Sequence, residues 1–269
     1  MEQPPIPKRI YFLWLQGLAA APELIRICHR KWAALNPDYE VVLLDGHDVE
    51  RLLAETALPF RSIPVQALSD IVRARLLLDH GGVWVDATVM PVAPLTPWLD
   101  EMAGTQGFFA LERPGPDRPI SSWFLAASQN NPMMRWWWPE IERFWSRPRR
   151  LVAYPGGVPP DPVAEVSPEA GGQGDTYPYF WFHYLFRYLV ETRPEATEFW
   201  SRCVHRSALP ACQLQFLFDE NSTPTLFEII EKVSGAPIHK LNWRAPYPLD
   251  LFAAIGDQVQ VFLKPEVLN

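Results

Sequence analysis

The sequence predicts an α/β fold in which helices cover both faces of a parallel sheet. Strand-length runs that are apolar throughout, at 9–15 (RIYFLWL) and 39–46 (YEVVLLDG), alternate with segments of helical period, the β-α-β-α order of a crossover-connected sheet. A Gly81-Gly82 pair then stops a further helix and releases another short apolar strand, VWVDATV. With 269 residues, 48% hydrophobic and 20% charged, the chain can bury a core beneath such a sheet. Sheets of this kind bind nucleotides at the carboxyl ends of their strands.

The elements follow in order. Gly17 ends the first strand, and Pro22 opens a helix through APELIRICHRKWAAL that Asn36-Pro37 stops. The 39–46 strand closes at Asp45-Gly46, and HDVERLLAETA is a short helix. The next helix is expected at 70–80, with Ser69 as its cap and Asp70 at the positive end of its dipole. Gly81 is its expected left-handed C′ residue. In VWVDATV, Val83, Val85, Ala87 and Val89 face one way, while Trp84, Asp86 and Thr88 face the other. GFFALE and ISSWFLAAS are two more strands, and NPMMRWWWPEIERFW is an aromatic helix that Pro139 kinks or divides. PYFWFHYLFRYLVE is a strongly apolar helix; TPTLFEIIEKVSG is another, capped by Thr223, with Pro224 at its first position and Gly235 as its stop. IHKLNW, 238–243, reads as a strand or turn. The Pro/Gly-rich stretch 148–178 has little periodicity, the mark of a lid or of disorder.

A net charge of −7 argues against a general nucleic-acid binder, which needs a basic surface. The three cysteines, Cys28, Cys203 and Cys212, are too few and too scattered for a disulfide framework or zinc ribbon, and they read as buried thiols of a reducing compartment. No run is long and apolar enough to span a membrane, and the first residues lack the pattern of a signal peptide. The expectation is a cytoplasmic protein. MMRWWWPEIERFWSRPRR, rich in Trp and Arg, reads either as a helix packed on the sheet or as a contact with the inner membrane face.

The chemistry concentrates in SDIVRARLLLDHGGVWVDATV. Asp70 and Arg73 are i,i+3 neighbours on one helix face, and a tight turn later the strand delivers Asp86 beside Trp84. Taken singly, the pair is a surface ion pair, Asp86 a polar strand-end residue and Thr88 a β-favouring residue. Together they point to a site. Trp14 is either core or a stacking face, and His183 either a satisfied core histidine or an acceptor or metal group. His239 and Lys240 divide between packing and phosphate binding.

These segments, with S-D-x-x-R-x-x-x-L-x-x-x-G-G-[VI]-[WY]-x-D as the most specific, resemble bacterial capsular polysaccharide synthesis proteins. Those are similar to glycosyltransferase family 32, which includes fungal mannosyltransferases, and more distantly to the glucosyltransferase domain of large clostridial toxins. The resemblance runs from Ile6 to about Trp243 and omits the 148–178 stretch. It implies a single GT-A type domain over 1–269, with a Rossmann-like nucleotide-sugar half at 1–115 and an acceptor half at 116–269.

By position, the resemblance makes Trp14 the aromatic that stacks on the donor nucleobase, and Asp70 and Arg73 the pair that grips the donor ribose and sugar. Trp84 is the aromatic before the metal aspartate, Asp86 that aspartate, and Ser122 stands near the donor sugar. Asp70, Arg73 and Asp86 are thus the candidate catalytic residues. Where many relatives have Asp-x-Asp, this chain has Asp86-Ala87-Thr88. A Mn²⁺ or Mg²⁺ would then rely on Asp86, with Thr88, His239 or Asn242 as further ligands. His183 and Lys240 are candidates for acceptor or phosphate. The implied activity is retaining transfer from a nucleotide sugar, UDP-linked by preference, to a glycan or lipid-linked acceptor in surface polysaccharide synthesis. The alternative is a sugar-nucleotide or glycan-binding module without catalysis; a glycoside hydrolase lacks an identifiable carboxylate pair.

Overall fold

The computed structural model describes residues 3–168, 174–219 and 223–255. In chain order the first elements are β1 (Arg9–Leu13), α1 (Glu23–Leu35), β2 (Glu40–Leu44), α2 (Gly46–Leu53), α3 (Val65–His80) and β3 (Gly82–Val85). Next come β4 (Val89–Pro91), α4 (Thr96–Ala103), β5 (Phe108–Gly115), β6 (Arg118–Ala127), α5 (Pro132–Phe144), β7 (Arg150–Val152) and β8 (Thr176–Pro178). The chain continues through α6 (Trp181–Thr192), α7 (Pro194–Ser201), α8 (Leu209–Asp219), α9 (Leu226–Val233), β9 (Ile238–Lys240) and α10 (Leu249–Ala254).

The main sheet has the order β2-β1-β3-β6-β5. Its first three strands are parallel, as the β-α-β-α opening predicts, but β6 runs antiparallel to β3 and forms a hairpin with β5. The sheet is therefore mixed. The short link between Gly115 and Arg118 leaves no room for the crossover that a parallel partner needs.

Strand periodicity divides the core between two faces. Ile10, Phe12, Val83, Val85, Phe124 and Ala126 pack with Leu24, Ile25 and Trp32 of α1 and with α4, α8 and α9. Their neighbours Tyr11, Trp84, Leu125 and Ala127 pack on the other side with α3, α5 and α6. Apolar residues on both faces explain why the strands read as continuous hydrophobic runs. β2 is the exception, with Leu44 its one buried residue, because it lies at the sheet edge.

Several local expectations need correction. α3 begins at Val65 after Pro64, so Ser69 caps nothing; its Oγ donates to the Gln66 carbonyl, and Asp70 lies in the second turn. In the added turn Ala67 is buried and Leu68 packs against the core, while Val65 and Gln66 are exposed. Gly81 does end the helix, at φ 64° and ψ −170°, which is positive φ but outside the left-handed helical well. β3 stops at Val85, and Asp86-Ala87-Thr88 form a turn closed by Val89 N donating to Asp86 O. β4 then leaves the main sheet and pairs antiparallel with β9.

α5 is one helix through Pro139 and is not divided; Trp137 and Trp138, with Trp145 at its C-cap, are buried, so these rings belong to the core. The 148–178 stretch holds the parallel pair β7 and β8, and Val166 and Tyr177 are buried within it; residues 169–173 lie outside the described residues. α9 is capped by Thr225 in a capping box with Glu228, two residues after the expected Thr223. No helix among the described residues is long and apolar enough to cross a membrane.

Candidate active site

The strand order reverses at β1. The chain passes from β1 to β2 on one side and then returns to β3 on the other, which opens a crevice at the carboxyl ends of β1 and β3. Trp14 follows the end of β1 and Asp86 follows the end of β3. Two cavities meet there and share Gln66 and Ser69 of α3 as their common wall. One, of about 630 Å³, is lined by Trp14, Pro22, Trp243 and Arg244. The other, of about 510 Å³, is lined by Asp70, Arg73, Asp86, Arg118, Ser122 and Lys240, with the rings of Tyr179, Phe180 and Phe216 at its side.

Arg73 organises the second cavity. Its side chain is 4% exposed; Nη2 pairs with Asp86 Oδ1 at 3.0 Å, and Nη1 lies 2.5 Å from Asp70 Oδ1 without being aimed at it. The guanidinium sits 5.0 Å from the Trp84 ring, and Trp84 Nε1 donates to Asp86 Oδ1 at 3.0 Å. Trp84 is thus a buried floor that positions Arg73 and Asp86, and it does not line the cavity. Lys240 closes the network, with Nζ donating to Asp86 Oδ2 and to Thr88 Oγ1, each at 2.8 Å. Arg73 Nε and Nη1 and His183 Nδ1, all buried, make no hydrogen bond to any described residue, and the same holds for Trp14 Nε1 in the neighbouring cavity.

This arrangement separates the two carboxylates. Burial alone would raise Asp86, but the charges of Lys240 and then Arg73 outweigh it and hold the group well below the usual carboxylate range. Asp70 goes the other way: burial, with Asp86 adding repulsion against the pull of Arg73, pushes it up to about 7. His183 is pushed down to about 3 by burial and then by Arg118 and Arg73, so it is neutral at pH 7. Three cations, Arg73, Arg118 and Lys240, face two carboxylates, Asp70 and Asp86, in a chain whose net charge is −7. A cation-rich cleft in an acidic chain suits an anionic ligand.

Asp70, Arg73, Asp86, Ser122, His183 and Lys240 therefore meet at one cavity, and Trp14 lines the adjoining one. His239 and Asn242 do not join them. The β4–β9 ladder turns Lys240 to the cleft and its neighbour His239 into the core, where Nε2 meets the Val233 carbonyl at 2.9 Å and burial pushes the ring down to about 4. Asn242 Oδ1 accepts from Arg244 N. Sequence reasoning missed Arg118, Trp243 and the Tyr179–Phe180 rim. Trp243 stands edge-on to Trp14 with ring centroids 6.3 Å apart, a pairing across 229 positions that no local pattern announces.

The expected divalent ion does not fit these residues as arranged. Such an ion needs several free oxygen ligands. Both Asp86 oxygens are taken by cationic or indole donors, Thr88 Oγ1 accepts from Lys240, and His239 and Asn242 face elsewhere. Among the described residues no three His, Cys, Asp or Glu gather as a metal site.

Fold and site together define an α/β protein whose strand-end crevice joins an aromatic pocket to a cation-lined one. The chain belongs to the capsular polysaccharide synthesis protein family: residues 2–155, more than half of its 269, match that family. The match ends well before Trp243, to which the motif resemblance extends. In an alignment 161 positions long the chain is 23% identical to the initiation-specific alpha-1,6-mannosyltransferase of Candida albicans, with 50% of this chain and 42% of that protein covered. The chain thus spans less than half of that relative. Among solved structures, the PaToxG glycosyltransferase aligns over 87% of this chain and 86% of its own, at 15% identity and a TM-score of 0.47. An active-site mutant of LgtC aligns over 94% and 97%, at 10% identity and a TM-score of 0.40.

Proposed function

We propose that this chain is a GT-A type glycosyltransferase that moves a sugar from a nucleotide-sugar donor to a glycan or lipid-linked acceptor in bacterial surface polysaccharide synthesis, working on the cytoplasmic side. The observation that carries this reading is the pair of joined cavities at the switch point, one aromatic and one cationic, in a member of this family.

In this reading the base stacks on Trp14, with Trp243 beside it, and the diphosphate crosses Gln66 and Ser69 toward Arg73, Lys240 and Arg118. Asp70 and Ser122 accept from sugar hydroxyls, and the acceptor enters along His183, Tyr179 and Phe180. During transfer the bond from C1 to the phosphate oxygen breaks, and its electron pair stays with the nucleoside diphosphate. The acceptor oxygen bonds to C1 and its proton passes to the freed phosphate oxygen, a front-face course that retains configuration. Fixed cations stabilise the charge that develops on the leaving group. No carboxylate is placed as an enzymatic nucleophile in this scheme, and a UDP-linked donor is the first candidate.

The test is nucleotide release from a panel of UDP-, GDP- and CMP-sugars, with an oligosaccharide acceptor, in Mn²⁺ and in EDTA. Release of one nucleotide that is lost in Asp86→Ala supports the enzyme. Saturable binding of a nucleotide sugar with no release under any condition would favour the binding-module alternative, for which the supporting observation is that both Asp86 oxygens accept from protein donors.

A further inference from the structure

Lys240 occupies an informative position. Its ammonium lies 2.8 Å from both Asp86 Oδ2 and Thr88 Oγ1, the two side chains of the turn that a metal-binding Asp-x-Asp would use. We propose that Lys240 is a built-in replacement for the divalent cation: its ammonium receives the donor diphosphate and carries the charge of the departing nucleoside diphosphate, so that the protein binds and turns over its donor without a metal ion. This rests on the nucleotide-sugar reading above.

Charge balance is the first argument. Two aspartates with a divalent ion sum to zero, and so do one aspartate and one lysine. With Thr88 uncharged, Asp86 and Lys240 together give the turn the net charge that an Asp-x-Asp has with its ion bound. Geometry is the second. An ammonium has three N–H donors, and two are engaged by Asp86 and Thr88, which leaves one for a phosphate oxygen in the cavity that Lys240 lines. Rigidity is the third: Lys240 pairs with Val89 in the β4–β9 ladder, and Leu241 N donates to the Thr88 carbonyl at 3.0 Å, so backbone bonds hold the lysine and the turn together. The Lys240 and Asp86 side chains are 23% and 26% exposed, sheltered enough for the charge to act at reduced screening. Arg73, held on Asp86 Oδ1 from the opposite side, supplies a second fixed cation. Lys240 takes no part in proton transfer in this scheme; its charge stabilises the electron pair that the broken C1–O bond leaves on phosphate.

The experiment is calorimetric titration of the protein with UDP and with GDP, in EDTA and in Mn²⁺. One nucleotide is expected to bind in EDTA with an affinity within about twofold of that in Mn²⁺. Lys240→Met should weaken it by roughly tenfold or more, as loss of a charge-assisted contact implies. Mn²⁺ should not restore the loss, and Lys240→Arg should retain most of the affinity. Thr88→Val, which removes only the hydroxyl that seats the ammonium, provides a second and milder variant and should weaken binding severalfold. Binding that requires Mn²⁺, or that is unchanged in Lys240→Met, overturns the proposal while leaving the nucleotide-sugar reading intact. No binding of either nucleotide in either buffer overturns both.

Discussion

Asp70→Asn should change how stability depends on pH, and the size of the change follows from the site. Burial pushes Asp70 up to about 7 from its ordinary 3.8, with the Asp86 charge adding to it and Arg73 opposing. A carboxyl whose folded pKa exceeds its unfolded one keeps its proton in the folded chain through the window in which the unfolded chain loses it. Its contribution is therefore full below about pH 4 and falls away as pH rises to about 7. Three pH units correspond to a ceiling of about 4 kcal/mol, and the 14% exposure of the side chain brings the expected effect to about 2–4 kcal/mol. His183 and His239, held neutral by burial, push the wild-type curve the opposite way between about pH 4 and 6.5, because the unfolded chain then binds the extra protons. Asp86 acts only at lower pH, where its paired charge is lost. The remaining titratable groups that act on Asp70 are Arg73, Tyr177 and Tyr179, and both tyrosines are raised further above neutrality. The readout is thus the difference between variant and wild type in urea unfolding from pH 4 to 8. Asp70→Asn should gain about 2–4 kcal/mol on wild type across that range, or several degrees in melting temperature. Parallel curves would refute the assignment of a raised carboxyl at position 70.

Other consequences can be read from stability. Gly81→Ala would place a Cβ 2.5 Å from Gln129 N and 2.9 Å from Ala127 O at a φ of +64°, so it should cost more than about 3 kcal/mol or abolish soluble expression. Asn131→Ala removes a fully buried amide that caps α5 through Met133 N and donates to the Gln106 and Gly107 carbonyls; a loss of about 2–4 kcal/mol in urea unfolding is expected. Asp86→Ala leaves the buried Arg73 with Asp70 as its one remaining acidic partner and should destabilise by about 2–4 kcal/mol, measured the same way.

What the sequence made legible follows from the range of the forces involved. Alternation and helical period are local, so β1, β2 and α1 stand near where the apolar pattern sets them. The helix-borne Asp70 and Arg73 and the strand-end Asp86 lie within 17 positions, and their meeting was readable because one turn and one glycine pair connect them. Ser69 misled because a capping residue type four positions inside a helix looks the same as one at its start, and Pro64 was the true boundary. Lys240 reaches Asp86 across 154 positions. Its direction, and the opposite one of His239, depends on the β4–β9 register, which a three-residue strand does not reveal by pattern. Arg118, Trp243 and the aromatic rim come from separate loops and elements, and only the folded sheet order brings them together.

In the proposed function the joined cavities hold a nucleotide sugar with its base on Trp14. Titration of wild type and Trp14→Ala with UDP- and GDP-sugars, followed by calorimetry, tests it most directly. One nucleotide sugar is expected to bind saturably to wild type, and Trp14→Ala to weaken it by roughly tenfold or more, the worth of a base–aromatic stack of about 1–3 kcal/mol. Absence of binding in the wild type, or equal affinity in the two proteins, would contradict it.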